Sequence, residues 1–206
     1  MAKYDSDDRH LHPDSGVLVN LLGITDQAEL DDAEAALVLV ATLRIGASPL
    51  PEPPEGPGFP YFLAIHRALF GDIYAWAGSI REVDISKGGS RFANWRFIEQ
   101  EGVRLTAELA REHWLAGLPA DRFAERMAWY MGELNVLHPF RDGNGRALRE
   151  YVRYLAERAG HPLTWAGVPP DEMLSASIAA YRGDTAPLAA LLLRQIRVVG
   201  LSLIHI

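Results

Sequence analysis

The 206-residue chain contains no cysteine. That excludes a disulfide framework, a thiolate nucleophile and a Cys-ligated zinc site, and it fits a reducing compartment. Long apolar runs are also missing: nothing approaches the roughly 20 consecutive apolar residues that a membrane-spanning helix needs. Val198 to Ile206 is apolar but too short to span. It either packs on a partner or is a remnant of another reading frame. The remnant is preferred, and residues 200–206 are given no role. Positive charge is not in excess. The formal net charge is −7, so the surface as a whole is not a footprint for nucleic acid or anionic lipid, and no direct nucleic-acid contact is expected. Met1 to His12 is polar and mixed in charge, unlike the apolar centre of a secretory signal. Internal repeats and low-complexity segments are absent.

What is present suits one globular domain. Apolar residues make up 49% of the chain, enough for a core. Residues 1–24 read as an irregular arm. A helix is expected from Thr25, a plausible N-cap, to a stop at Gly46, with Leu30, Ala33, Leu37, Val40 and Ala41 on one face. The proline-rich stretch Ser48 to Gly58 must be a loop. Phe59 to Phe70 reads as a second helix, with Phe62, Ile65, Leu69 and Phe70 inward. Val83 to Ser86, then Lys87-Gly88-Gly89, then Ser90 to Ala93 reads as a small β-hairpin.

From about Trp95 onward the pattern is helical. Arg122 to Leu137 carries Phe123, Met127, Tyr130, Met131 and Leu134 at helical spacing, and Pro139 ends it. Gly145 to Ala159 follows with Leu148, Tyr151, Val152 and Leu155 inward, then two helices near 170–182 and 187–199. The expected fold is mostly α: one helical domain over 25–199 with a single hairpin.

The chemistry concentrates in His138-Pro139-Phe140-Arg141-Asp142-Gly143-Asn144-Gly145-Arg146, followed by Arg149. Gly143-Asn144-Gly145 joins one helix end to the next helix start. Glycines allow close approach, Asn144 is a good N-cap residue, and a helix N-terminus offers unpaired N–H groups to an anion. Arg146 and Arg149 share a face one turn inside that helix, and Arg153 extends the row. Guanidinium groups suit phosphate oxygens. Cations near a helix N-terminus are locally unfavourable, a misfit expected where function requires it. Asp142 supplies a hard oxygen ligand, and Mg²⁺ typically takes one or two carboxylates plus substrate phosphates. His138, with an ordinary pKa of about 6.5, suits a general base. Phe140 reads as a buried anchor. Each residue alone has an ordinary structural reading; in this order and spacing they point to nucleotide phosphates.

His138 to Arg149 resembles, without departure, the signature of the Fic family: His-Pro-Phe-x-Asp/Glu-Gly-Asn-Gly-Arg-x-x-Arg. Tyr74-Ala75-Trp76-Ala77-Gly78 with Arg81 resembles the stretch before the family's flap, and Asp84 to Ala93 the flap itself. Gly16 to Ile24 and Met131 to Asn135 resemble the Vbh-type toxins and secreted effectors of that family.

The resemblance implies a Fic-like helical fold and AMP transfer from ATP to a hydroxyl side chain of a target protein. His138 would be the base and Asp142 would hold Mg²⁺. Gly143, Asn144 and Gly145 would form the anion hole, and Arg146 and Arg149 would take the outer phosphates. The flap, Lys87, Gly88, Gly89, Ser90, Arg91 and Phe92, would align the target segment. UMP, phosphate or phosphocholine transfer on the same fold is the alternative, as is a non-catalytic nucleotide-binding module. Relatives of the toxin type imply type II topoisomerase ATPase subunits as targets, and action in a bacterial cytoplasm or in a recipient cell.

Many such proteins carry an inhibitory helix with Ser/Thr-x-x-x-Glu-Gly/Asn, whose Glu meets the second arginine, here Arg149. Only Thr25…Glu29 and Ser48…Glu52 place Glu at that offset, and Leu30 and Pro53 break both patterns. The expectation is a brake on a separate small antitoxin.

Overall fold

A computed structural model describes residues 10–87 and 90–197. Among them are seven α-helices, α1 (Gln27–Ala47), α2 (Phe59–Phe70), α3 (Ile98–Arg111), α4 (Ala120–Leu137), α5 (Asn144–Arg158), α6 (Pro170–Tyr181) and α7 (Ala186–Gln195), and one antiparallel pair, β1 (Ser86–Lys87) with β2 (Ser90–Arg91). The expected mostly-α class with one hairpin is what the chain adopts. No helix among the described residues is long and apolar enough to cross a membrane. Met1 to Arg9, Gly88, Gly89 and the apolar tail lie outside the described residues.

α4 is the central rod. It packs against α3, α5, α6 and α7, while α2 packs against α1, α3 and α5. The inward stripes expected for α2, α4 and α5 are all buried. Aromatic rings link these helices to the turn after α4. Phe62 stacks on Tyr151 at 5.2 Å and meets Phe140 edge-on at 5.4 Å, and His66 stacks on Phe140 at 3.7 Å. Offset and edge-on pairs of this kind favour one arrangement over others.

Four expectations need correction. The N-cap of α1 is Asp26, whose carboxylate accepts from Glu29 N–H at 2.9 Å, not Thr25. The helix also runs through Gly46 to Ala47. Its buried face is Leu30, Glu34, Val38, Ala41 and Ile45, leaving Leu39, Val40 and Leu43 exposed. Apolar residues surround this helix on all sides, so hydrophobicity alone cannot set its rotation; packing on α2 does. Fourth, the N-cap of α5 is Gly143, and Asn144 is the first helical residue.

From residue 10 to α1 the chain forms no helix or strand beyond an isolated bridge between Leu11 and Leu18. Asn20 folds it on itself, its Nδ2 donating to the carbonyls of Leu18 and Ile24 and its Oδ1 accepting from Leu22 and Ile24 N–H. The Leu21 N–H donates to Ile73 O at 2.8 Å, tying the segment to the domain.

Candidate active site

α4 ends because His138 turns left-handed (φ 45°, ψ 61°) ahead of Pro139. A non-glycine residue in that region is strained and needs support. Support comes from both sides. The His138 carbonyl accepts from Arg81 Nε at 2.8 Å, and the Arg81 N–H donates to Pro139 O at 2.8 Å. The His138 ring lies flat on Phe92 of the flap, 3.7 Å between centroids. Its Nδ1 is 3.0 Å from Asn135 O. A carbonyl only accepts, so Nδ1 carries the proton and Nε2 keeps its lone pair. Burial, aided by Arg81 and Lys87, pulls the imidazole pKa down to about 4. The ring is therefore neutral at physiological pH.

The following turn is fixed from inside. Phe140 is fully buried, the anchor expected of it. Asn144 closes a ring on it: Phe140 N–H donates to Asn144 Oδ1 and Asn144 Nδ2 donates to Phe140 O, both at 2.8 Å. His66, on the buried face of α2, completes the bracing. Its Nδ1 accepts from Gly78 N–H and its Nε2 donates to Asp142 O, both at 2.9 Å. Burial lowers its pKa to about 4, so it stays neutral.

Gly143 has φ +76°, and a Cβ there would stand 2.5 Å from the Phe70 ring. Only glycine fits. Its carbonyl accepts from Arg146 and Ala147 N–H, leaving the Asn144 and Gly145 amides with no acceptor inside the helix. Asp142 is buried; its Oδ1 accepts from Gly143 N–H at 2.5 Å and lies 3.9 Å from Arg146 Nη2.

The arginines diverge. Arg141 is buried, and Arg153 pairs with Glu150 and Glu157 instead of extending the row. Arg146 lies over the Phe70 ring at 4.7 Å and pairs with Glu34 of α1 at 2.6 Å. Arg149 is half-buried, its carbonyl accepting from Trp165 Nε1 at 2.8 Å. No carboxylate among the described residues pairs with its guanidinium. Burial, then the charge of Arg146, lowers its pKa.

Most of the motif side chains meet in one cleft of about 730 Å³. His138, Asp142, Gly143, Asn144, Gly145, Arg146 and Arg149 line one side, and Lys87, Ser90 and Phe92 of the flap overhang it. Arg91 points outward to Asp84 at 3.3 Å. The hairpin is anchored by Arg81, whose guanidinium donates to Val83 O and Ala93 O, each at 2.5 Å, and to Leu137 O at 3.2 Å. The far wall is α6, where Leu174 and Ile178 are exposed.

The motif reading did not reach Glu34, His66 or the α6 wall. Glu34 and His66 are polar residues in register with buried apolar ones, a signal readable once the stripe is set. The wall left no signal, because its residues converge only in the folded chain.

For a metal, the donor set is thin. No group of three or more His, Asp or Glu among the described residues could hold an ion alone. The buried carboxylate of Asp142, beside the start of α5, fits Mg²⁺ arriving with a polyphosphate, which supplies most of the coordination.

Fold and cleft together define a helical protein whose cleft brings an imidazole, a carboxylate, two arginines and a helix N-terminus together. The chain belongs to the Fic/DOC family, whose profile matches residues 59–156. It is 43% identical over 95% of its length to protein adenylyltransferase VbhT of Bartonella schoenbuchensis, of which it spans 41%. It is 40% identical over 89% of its length to the probable protein adenylyltransferase Fic of Salmonella typhimurium, covering 90% of that protein. Its fold matches the BepC effector of Bartonella tribocorum, solved with bound AMPPNP, at TM-score 0.83 and 27% identity, covering 91% of this chain and 96% of that one.

Proposed function

We propose that the chain is a protein adenylyltransferase that moves AMP from ATP onto a hydroxyl side chain of another protein. The observation that carries this is the convergence in one cleft of a neutral imidazole whose Nδ1 carries the proton, a buried carboxylate, a helix N-terminus without a side-chain cap and two arginines. The names of the relatives and the nucleotide analogue in BepC support it.

In this reading the polyphosphate runs along the start of α5. The Asn144 and Gly145 amides face the α-phosphate, with Arg146 and Arg149 on the outer phosphates. Bound at Asp142, Mg²⁺ would neutralise phosphate charge. The exposed apolar face of α6 suits the purine. A target strand lies along the flap. His138 Nε2 takes the target hydroxyl proton, the oxygen attacks the α-phosphorus, and pyrophosphate leaves with the broken P–O bond. A pKa of about 4 makes the resting ring a weak base. The negative charge of the phosphates raises it when they arrive.

Arg149, with no carboxylate partner among the described residues, supports a brake supplied in trans by a small antitoxin. Resemblance to toxin-type relatives makes the ATPase subunits of type II topoisomerases the first targets to test, in a bacterial cytoplasm or a recipient cell.

The experiment is incubation with labelled ATP, Mg²⁺ and bacterial lysate. A target protein becomes labelled, the mass shift equals AMP, and His138→Ala abolishes it. Equal labelling by that variant removes His138 as the base, and a different mass shift overturns the reaction assignment.

A further inference from the structure

The buried face of α1 is apolar at every position but one. Leu30, Val38, Ala41 and Ile45 share their register with Glu34, which is only 8% exposed. A carboxylate in such a place is costly unless it is paired and hydrogen-bonded. Both oxygens are engaged. Oε2 accepts from the Tyr74 hydroxyl at 2.6 Å, and Oε1 lies 2.6 Å from Arg146 Nη1. Tyr74 is itself buried and stacked on Trp76 at 4.5 Å. Burial and the adjacent carboxylate push its phenol above the ordinary range, so it remains a donor.

We propose that Glu34 is a positioning residue: through the chain Tyr74–Glu34–Arg146, α1 sets the orientation in which Arg146 meets the polyphosphate. This rests on the reading of Arg146 as a phosphate contact. The carboxylate touches no reacting atom and acts through the guanidinium. Three features support holding over obstruction. The close contact is made by Nη1, at one end of the guanidinium. Tyr74 restrains the carboxylate from its other side. The Phe70 ring lies beneath the guanidinium and limits its tilt. The motif arginines are thus unequal: Arg146 is clamped by the protein, and Arg149 has no carboxylate partner among the described residues.

The test is equilibrium binding of ATP and of AMP to the full chain, in wild type, Glu34→Gln, Tyr74→Phe, Arg146→Ala and the Glu34→Gln/Arg146→Ala double variant. Glu34→Gln is expected to weaken ATP about ten-fold and Tyr74→Phe about three-fold, with AMP changed less than about two-fold because it lacks the outer phosphates. In the Arg146→Ala background Glu34→Gln adds nothing further. Equal weakening of ATP and AMP would indicate general damage to the cleft and overturn the proposal. Tighter ATP binding by Glu34→Gln would make the carboxylate a competitor of phosphate and also overturn it. If Arg146→Ala leaves ATP affinity unchanged, the phosphate reading of Arg146 fails. If Arg146→Ala weakens ATP and Glu34→Gln does not, only the positioning role fails. Should Glu34→Gln not fold, Tyr74→Phe keeps the carboxylate–arginine pair and decides the question at smaller amplitude.

Discussion

From His138 to Gly143 the chain crosses the cleft floor with its backbone held by Arg81, His66 and Asn144 and with Phe140 fully buried beneath it. Opposite it, β1 and β2 are two residues each, and the Arg91 side chain is exposed. The flap is retained by the Phe92 ring on His138, the Arg81 bonds at its base and a Tyr181 hydroxyl donating to Arg91 O at 2.8 Å. The floor is over-determined and the overhang lightly held. Chemistry needs atoms fixed before substrate arrives, whereas recognition of a protein segment by strand addition needs an edge that can adjust.

The largest effect that would break this contrast is on the floor. Gly143→Ala combines an unfavourable φ with a Cβ 2.5 Å from Phe70 ring atoms. It is expected to cost about 3–5 kcal/mol, read from denaturant unfolding. A loss below about 1 kcal/mol would show that the floor yields easily.

An intermediate effect follows from the buried imidazole. The pKa of His138 falls from 6.5 in an open chain to about 4 in the fold. Between these values the unfolded chain binds a proton that the native chain does not, so stability falls as pH drops from 6.5 to 4 and levels off below. His66 adds the same sign over the same window. Relative to pH 7.5, the stability gap between wild type and His138→Ala should narrow by about 2 kcal/mol at pH 5, measured by thermal unfolding. An unchanged gap would mean that the ring is solvated.

The smallest effect belongs to the flap. Tyr181→Phe removes one exposed hydrogen bond and should cost less than about 1 kcal/mol. Amide exchange at Ser90 and Arg91 should quicken, with the Arg81 amide, bonded to Pro139 O, unaffected. Coupled exchange at both places would erase the distinction.

The sequence made the site legible where chemistry is contiguous. His138 through Arg149 carries an imidazole, a carboxylate, the Gly143-Asn144-Gly145 turn and the guanidinium groups of Arg146 and Arg149 within twelve residues, and the structure brings these into one cleft. α2, α4 and α5 were legible because their apolar residues keep one face. α1 was not, since Leu39, Val40 and Leu43 add apolar surface on the solvent side and hide the stripe that contains Glu34. Asn144 was misplaced for a related reason. Its amide suits an N-cap, but Gly143 alone tolerates the left-handed turn and the Phe70 contact, so the cap moves one residue earlier and the amide turns inward to Phe140. The α6 wall depends on tertiary convergence that no local pattern encodes.

The guanidinium of Arg81 donates to four main-chain oxygens, those of Val83, Ala93, Leu137 and His138. Such a joint is blind to the side chains at the positions it grips. Residues on the flap can be exchanged for others while the arginine continues to hold the hairpin and the histidine in the same relation. For an engineer this makes the hairpin an interchangeable part. Its surface can be redesigned without realigning the imidazole, provided Arg81 and the Phe92 ring are kept.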